Sequence, residues 1–453
     1  MSQTNPRPAA TYAEAQAALL SRWPEHKLDP TLERIADFCS VLGDPQTNYD
    51  VVHITGTNGK TSTARMAEQL LITMGLRTGR FTSPHLTSMT ERISLDGEPI
   101  SEERFVDAFN DIAPYTHVVD GHHDHPLSFF ETVVGMAYAA FADAPVDVAI
   151  VEVGMGGAWD ATNVADGAVS VLTPIGLDHA QYLGDTIADI AREKVGIIKP
   201  GAVCVSAEQH HDAAVLIEAR CAEVGATLLR EGVDFSVVSR TPAVGGQVIS
   251  LRTPKATYSE VFVPLYGGHQ AQNALMALVA VESLIGASGA LDDDLVREAF
   301  AEVTSPGRLE IVRRSPTIIL DAAHNPHGAA ACVAALEDSF LFDPLVGVIG
   351  VMGDKDVEGV LAEFEPVLAH LVCTQNSQSR SMSANDLAQV AREVFGPDRV
   401  SVAPDLVDAI DQAAALAEAG AAVGNPLGGG GVLVTGSVVT VGEARALLMR
   451  GRK

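Results

Sequence analysis

Cysteine is scarce in this chain and follows no pattern. The five cysteines (Cys39, Cys204, Cys221, Cys332 and Cys373) stand far apart with no C-x-x-C spacing. That argues against a disulfide framework and a zinc site, and it fits a reducing cytoplasm. Long apolar runs are missing as well: none approaches the roughly 18–20 residues that cross a bilayer, so no membrane partner is expected. Positive charge is the third shortage. The sequence carries 30 Lys+Arg against 58 Asp+Glu, a formal net charge of −28, which excludes a broad nucleic-acid-binding surface. The segment Met1–Ala10 is polar and proline-bearing and lacks the basic start, apolar core and cleavage site of a leader. A cytoplasmic protein is the expectation. The 453 residues, 47% hydrophobic and 19% charged, suit a soluble globular protein of two domains.

One stretch organises the rest, Val51-Val-His-Ile-Thr-Gly-Thr-Asn-Gly-Lys-Thr-Ser-Thr63. Val51, Val52 and Ile54 read as a buried parallel strand, Gly56 and Gly59 open a tight turn, and helical spacing follows from Thr61 to Leu71. Strand, glycine turn, lysine, hydroxyl and helix form a phosphate cradle. Backbone N–H groups and the helix N-terminus face the anion, Lys60 reaches the terminal phosphates, and Thr61 or Ser62 can touch Mg²⁺. The usual G-x-x-x-x-G-K-[ST] pattern places glycine where this chain has Ile54. The stretch predicts an ATP site. A strongly acidic protein repels ATP, so local cations and a metal must hold it. Lys60, Lys194, Lys199 and Lys355 all fall inside motifs.

Helical spacing is expected over Tyr12–Leu20, Leu32–Leu42, Glu102–Ile112, Phe129–Phe141 and Ile187–Ile198, the last stopped by Lys199-Pro-Gly201. Strands are expected at Arg77–Phe81, Glu91–Leu95, Val146–Val153, Val169–Thr173 and Val203–Ser206, and Val233–Val263 alternates in period two. Gly267–Asn273 introduces a helix over Ala274–Leu284. Between His117 and His125 stand Asp120, His122, His123, Asp124 and His125; histidines and carboxylates are metal ligands, but the stretch has no helical or strand spacing and reads as a solvated loop. Past the loop Ser305-Pro-Gly-Arg308, strands are expected at Thr317–Leu320, Leu345–Val351, Leu371–Thr374, Val400–Ala403 and Gly431–Thr435. The expected architecture is therefore α/β: an ATP-binding domain over residues 1–304 and a smaller α/β domain over 305–453.

Glu152, in Glu152-Val-Gly-Met-Gly-Gly157, ends a predicted strand beside glycines. A carboxylate there is costly to bury alone and should meet a cation. His179 follows the next strand and can reach the same crevice.

These motifs resemble the Mur-ligase superfamily and, within it, the bacterial folylpolyglutamate synthases, often bifunctional with dihydrofolate synthase. The resemblance rests on His53–Lys60, Phe81-Thr-Ser-Pro-His-Leu86, Glu91-Arg-Ile93, Glu152–Gly157, Asp160-Ala-Thr-Asn163 and Leu177-Asp-His179. It continues through Glu193-Lys-Val-Gly-Ile-Ile-Lys199, His269-Gln-Ala-Gln-Asn273, Pro306-Gly-Arg308, Asp321–Pro326 and Met352-Gly-Asp-Lys-Asp356. The motifs run in the family's order over nearly the whole chain. The resemblance implies a P-loop ATPase domain of Mur-ligase type followed by a Rossmann-like glutamate-ligase domain. Thr57, Asn58, Gly59, Lys60 and Thr61 would hold the triphosphate, with Asn273, Arg308 and Asp321 completing the nucleotide pocket. Ser83, Glu152 and His179 would ligate Mg²⁺, and Lys194 matches the lysine the family carbamylates, whose CO₂ adduct offers carboxylate-like oxygens. His324 is a candidate for binding glutamate or accepting its proton, or for capping a helix. Leu28, Asp29 and Pro30, Ser128, Phe129, Phe130 and Glu131, and Trp159, Asp160 and Ala161 match the dihydropteroate pocket of bifunctional members; Phe129 or Phe130 and Trp159 could stack on a flat pterin.

The implied activity is an ATP-dependent ligation of L-glutamate to folate, and to dihydropteroate, through an acyl phosphate, by a monomer. Thr61, Ala158, Trp159 and Ala322 depart from the family, which commonly has Gly, Arg and Gly there, and Thr61 is shared with the peptidoglycan Mur ligases. Those enzymes carry an extra N-terminal UDP-binding domain, for which the stretch before the loop is too short. The remaining alternatives are folylpolyglutamate synthase activity alone, or an ATP-binding regulatory module that need not keep Ser83, Glu152, His179 and Lys194.

Overall fold

A computed structural model describes residues 8–24, 29–286, 289–420 and 429–450. The chain divides into two compact units. The first contains Met1–Ser239, Ser250–Val261 and Gln272–Val303; the second contains Arg240–Ile249, Phe262–Ala271 and Thr304–Lys453. Two segments before the predicted boundary thus belong with the later part of the chain.

The first unit is built on eight strands: β1 (Asp50–Thr55), β2 (Thr78–Phe81), β3 (Ile93–Leu95), β4 (Glu98–Pro99), β5 (Val148–Glu152), β6 (Val169–Leu172), β7 (Val203–Ser206) and β8 (Thr227–Arg230). Their order is β4-β3-β2-β5-β1-β6-β7-β8. Strands β2, β5, β1, β6, β7 and β8 run parallel, while at the edge β3 is antiparallel to β2 and β4 antiparallel to β3. Parallel strands are covered on both faces, so they read as apolar runs without alternation; Val51, Val52 and Ile54 are at most 2% exposed. One face packs Phe38, Phe105, Val133, Tyr138 and Phe141 against Val51, Phe81 and Val151. Elsewhere Ile190, Ile198, Ala213 and Ile217 pack with Leu172 and Cys204.

Local chemistry sets the ends of the helices. Ser128 accepts from the Glu131 amide and Glu131 from the Ser128 amide, a capping box that starts Phe129–Asp143. The helix Glu102–Asp120 runs through Pro114 and takes in His117 and Asp120, because Ile112, Thr116 and Val119 stay buried at helical spacing. The predicted irregular stretch therefore begins only after Asp120. Met89–Arg92 is a 3₁₀ turn rather than part of a strand, since the Glu91 carboxylate gathers the amides of Leu86, Thr87 and Ser88. The helix expected over Ala274–Leu284 begins earlier, at Gly268, so the motif His269–Asn273 lies inside its first turns.

Three further strands, β9 (Ser236–Ala243), β10 (Gly246–Arg252) and β11 (Thr257–Val263), form a sheet in the order β11-β10-β9. The second unit has β12 (Glu310–Arg314), β13 (Thr317–Leu320), β14 (Phe342–Ile349), β15 (His370–Cys373), β16 (Val400–Val402) and β17 (Gly429–Thr435), ordered β12-β13-β17-β14-β15-β16. All but β12 run parallel. Its core gathers Leu336, Leu361, Phe364, Leu387 and Phe395 against Ile319, Ile349, Leu371 and Leu433. Neither β8 nor β12 is apparent in the hydrophobic pattern: both are short outer strands with arginine at their ends, and β12 is further broken by a bulge at Ile311/Arg313. Among the described residues, no helix is long and apolar enough to cross a membrane, and all five cysteines are free and buried.

Candidate active site

Because β2, β5, β1 and β6 are parallel neighbours, their C-terminal ends line one edge of the sheet, where open α/β sheets bind ligands. The loop Gly56–Gly59 leaves β1 there. Gly56 has φ +147°, and a Cβ on it would lie 1.8 Å from Thr173 Oγ1; Gly59 has φ +92°, with a Cβ position 2.5 Å from Asn273 Oδ1. Both glycines are required by conformation and by space. Thr57 fastens the loop to the turn after β6: its amide donates to Pro174 O (3.0 Å), and its hydroxyl donates to Gly176 O and accepts from Gly176 N, both 2.9 Å.

Two lysines converge on one carbonyl. Lys60 Nζ donates to Gly56 O and Thr57 O, each 3.1 Å, and Lys194 Nζ donates to Gly56 O at 2.8 Å. Lys194 is buried. Burial and the nearby Lys60 pull its pKa from 10.5 to about 7, against the opposing pull of Asp178 and Asp160. Burial thus brings the neutral amine into play near neutral pH. Thr61, one residue past Lys60, donates to Glu152 Oε1 and Oε2 (2.9 and 3.0 Å), tying the helix Lys60–Thr73 to the end of β5.

The other predicted residues distribute along this edge. Glu152 is the last residue of β5 and is 1% exposed. Ser83 follows β2 and is half-buried. His179 lies beyond β6 with φ +54°, its amide donating to Asp178 Oδ1 at 2.8 Å and its Nε2 3.8 Å from Asp178 Oδ2. Among the described residues no group of three or more His, Cys, Asp or Glu is arranged to hold a metal by itself. A buried carboxylate, two hydroxyls and an imidazole at one sheet edge instead suit Mg²⁺ as it is commonly bound, through one or two side chains together with substrate phosphates. The donor set fits the ion. The loop between Asp120 and Leu127 holds no such site: Asp120 pairs with Arg22 (2.7 Å), His123 with Asp37 (2.9 Å), and His125 tilts against Trp23.

Of the candidates for a flat substrate, Leu28 lies outside the described residues. Asp29 pairs with Arg34 at 2.6 Å, Arg34 also meets Glu131 at 3.1 Å, and Pro30 is exposed. Ser128 and Glu131 are engaged in the capping box. Phe129 is 5% exposed with the Arg92 guanidinium 5.0 Å over its ring, which removes it as a stacking surface. Phe130 remains half-buried, edge-on to Phe81, and Trp159 half-buried beside Gly156. Ala161 is buried. Asp160 serves the fold: it accepts from the amides of Met155 (2.8 Å) and Thr162 (3.0 Å) and from the Thr162 hydroxyl (2.5 Å). Burial raises its pKa against these bonds.

That network reaches His53 on β1, whose Nε2 meets Thr162 Oγ1 at 2.9 Å. Burial, then the charge of Lys199, pushes its pKa from 6.5 to about 3. Between those values the unfolded chain binds a proton that the native chain refuses, so stability falls as pH falls through this window. At pH 5 the group removes about 2 kcal/mol. Thermal melts at pH 7 and pH 5 should show His53→Gln losing less stability than the natural protein by that amount; equal losses would clear His53 as the source.

In the second unit Asp321 follows β13 and accepts from Leu309 N (3.0 Å) and Ala323 N (2.9 Å). Burial raises its pKa, and Arg308 opposes this. His324 Nδ1 donates to Ala322 O at 2.9 Å, which makes Nε2 the basic nitrogen. The following helix is capped by Asn325, which accepts from Gly328 N at 2.7 Å, so His324 is not the cap. Sequence reasoning missed the Thr61–Glu152 and Lys194–Gly56 contacts, and it missed Gln209; none of these carries a spacing signal.

A Mur ligase middle domain matches residues 54–281, and a Mur ligase, glutamate ligase domain matches residues 307–437. The chain is 47% identical to the dihydrofolate synthase/folylpolyglutamate synthase of Mycobacterium tuberculosis, covering 98% of this chain and 95% of that one. It is 32% identical to the protein of the same name from Escherichia coli, over 80% and 81% of the two chains. Among solved structures, Mycobacterium tuberculosis folylpolyglutamate synthase complexed with ADP and AMPPCP superimposes with a TM-score of 0.92 at 47% identity over 98% of both chains. Escherichia coli FolC in complex with DHPP and ADP gives 0.85 at 29% identity, over 99% of this chain and 100% of that one.

Proposed function

The chain belongs to the Mur ligase family, and we propose that it is an ATP-dependent ligase joining L-glutamate to folate and to dihydropteroate. The observation that carries this reading is the meeting of Lys60, Lys194, Thr61 and Glu152 around one phosphate loop. A simple nucleotide switch needs the loop lysine but not the buried second lysine.

The first step transfers the terminal phosphoryl group of ATP to a carboxylate of the acceptor, giving an acyl phosphate and ADP. Lys60 leaves the carbonyls of its own loop and takes the transferring phosphoryl oxygens, where a fixed cation counts most. The loop amides and the N-terminus of the helix Lys60–Thr73 hold the preceding phosphates. Glu152, Ser83 and His179 would hold Mg²⁺, with Thr61 orienting the Glu152 carboxylate; the ion supplies charge neutralisation. The neutral fraction of Lys194 would add CO₂ at Nζ and release one proton to solvent, and the resulting carbamate would leave Gly56 O and present its oxygens at this edge. In the second step the glutamate amine attacks the acyl carbon, phosphate leaves, and the amine loses a proton. His324 is the group we assign to glutamate or to that proton, through Nε2. For a pterin, Phe130 and Trp159 are the stacking surfaces we assign. The enzyme works as a monomer in the cytoplasm, which sedimentation of the purified protein and fractionation of cells would check.

Purified protein supplied with MgATP, L-glutamate and either tetrahydrofolate or dihydropteroate should release ADP with both acceptors. Release with neither refutes the reading, and release with tetrahydrofolate alone restricts it to folylpolyglutamate synthesis. Repeating the assay in carbonate-free buffer should lower the rate, and bicarbonate should restore it. Indifference to bicarbonate counts against the carbamate at Lys194.

A further inference from the structure

Strands β6 and β7 end at Leu172 and Ser206, yet their ladder does not stop there. Ala207 N donates to Leu172 O at 2.9 Å, and beyond it the side chain of Gln209 takes over. Its Nε2 donates to Leu172 O and Thr173 O, both 3.2 Å, and its Oε1 accepts from Ile175 N at 3.0 Å. One carboxamide thus imitates a peptide unit against three main-chain groups, at the end of β6 and in the turn Thr173–Gly176 that follows it. That turn is the seat of the phosphate loop on its other side. It receives Thr57 at Pro174 and Gly176, and Gly56 lies so close to Thr173 that no Cβ fits. It also leads directly to Asp178 and His179.

We infer that Gln209 is a positioning residue for nucleotide binding. It fixes the height of the turn Thr173–Gly176, and through Thr57 the height of the loop amides that meet phosphate. The inference rests on the reading of Gly56–Lys60 as a nucleotide loop, and it does not require the acceptor to be a folate. The chemistry is specific to a carboxamide of this length. Glutamate keeps the acceptor for Ile175 N but turns an anion toward two carbonyl oxygens, and methionine fills the space with no donor or acceptor of comparable strength. Gln209 is half-buried and bonds main-chain atoms of Leu172, Thr173 and Ile175, so its bonds fix the course of a turn.

The test compares Gln209→Glu and Gln209→Met with the natural protein by calorimetric titration with MgADP, by melting temperature, and by steady-state kinetics. Both variants are expected to bind MgADP about tenfold more weakly, with Gln209→Glu the worse. Melting temperatures should stay within about 2 °C, and KM for L-glutamate within about twofold. Unchanged MgADP affinity in both folded variants would overturn the inference. So would a lower melting temperature accompanied by natural affinity in the folded fraction, which is the mark of a merely structural residue. If the natural protein binds MgADP but turns over neither acceptor, the ligase reading fails, and the ADP affinities still decide for or against Gln209.

Discussion

Gly56→Ala is expected to weaken MgADP binding at least about 100-fold, the cost of shifting a reacting or binding group by about 1 Å. Two physical effects act together. At φ +147° an L side chain is strained by about 1–3 kcal/mol, and the new methyl group would sit 1.8 Å from Thr173 Oγ1 and 2.9 Å from Thr173 O. Thr173 cannot yield cheaply, because it is fully buried, its amide is bonded to Thr55 O, and its hydroxyl points at the same carbonyl. The loop must move instead, and it carries Thr57 and the seat of both lysines with it. A loss of about 3 kcal/mol or more in all should lower the melting temperature by about 5–10 °C. Gly59→Ala, which meets only the far end of the Asn273 side chain, serves as the milder companion. Natural affinity in Gly56→Ala would mean that the native loop lies elsewhere.

Lys60→Met is expected to cut kcat about 10³-fold while leaving the fold intact. Its bonds to Gly56 O and Thr57 O go to neutral carbonyls at 3.1 Å each, so losing them should change stability little. Its contribution lies in the charge it places on the phosphoryl group in flight. MgADP affinity should therefore fall much less than kcat, the pattern of an interaction stronger in the transition state than in the ground state. Lys60→Arg should not rescue, since a planar guanidinium cannot occupy the volume of a compact ammonium in this turn. Retention of more than about a tenth of kcat by Lys60→Met would remove Lys60 from the phosphoryl step.

What the sequence made legible follows from the range of each interaction. Strand β1, its glycine turn and the helix after it are local, so apolar runs and positive-φ glycines announce them. The parallel strands β5, β6, β7, β14, β15 and β17 were likewise readable as apolar runs covered on both faces. The β8 and β12 edges were not, because partial exposure and arginines at the ends disguise a strand. Pro114 hid the last two turns of its helix, where Ile112, Thr116 and Val119 outweigh one missing N–H. In the site, Lys60, Glu152 and His179 could be named from motif and strand end. What could not be read is where their side chains go. Lys194 reaches Gly56 O across 138 residues of chain. Gln209 speaks only to main-chain atoms, and a main-chain partner leaves no mark in the amino-acid pattern. Phe129 and Phe130 show the same limit: adjacent and chemically identical, one is covered by Arg92 and the other is not.

The strand order of the first unit also bears on how the protein is made. β1 emerges early, but its two neighbours are β5 and β6, with Val52 paired to Ile150 on one side and Val169 on the other. The turn that seats Thr57 ends only at Gly176. While the ribosome is still short of that point, the nascent chain already contains every residue of the phosphate-loop motif but not the complete framework that shapes it. Loop closure over such separations is slow and comes late. Nucleotide therefore cannot act as an early folding template for this protein, and it can select only chains whose central sheet has already closed.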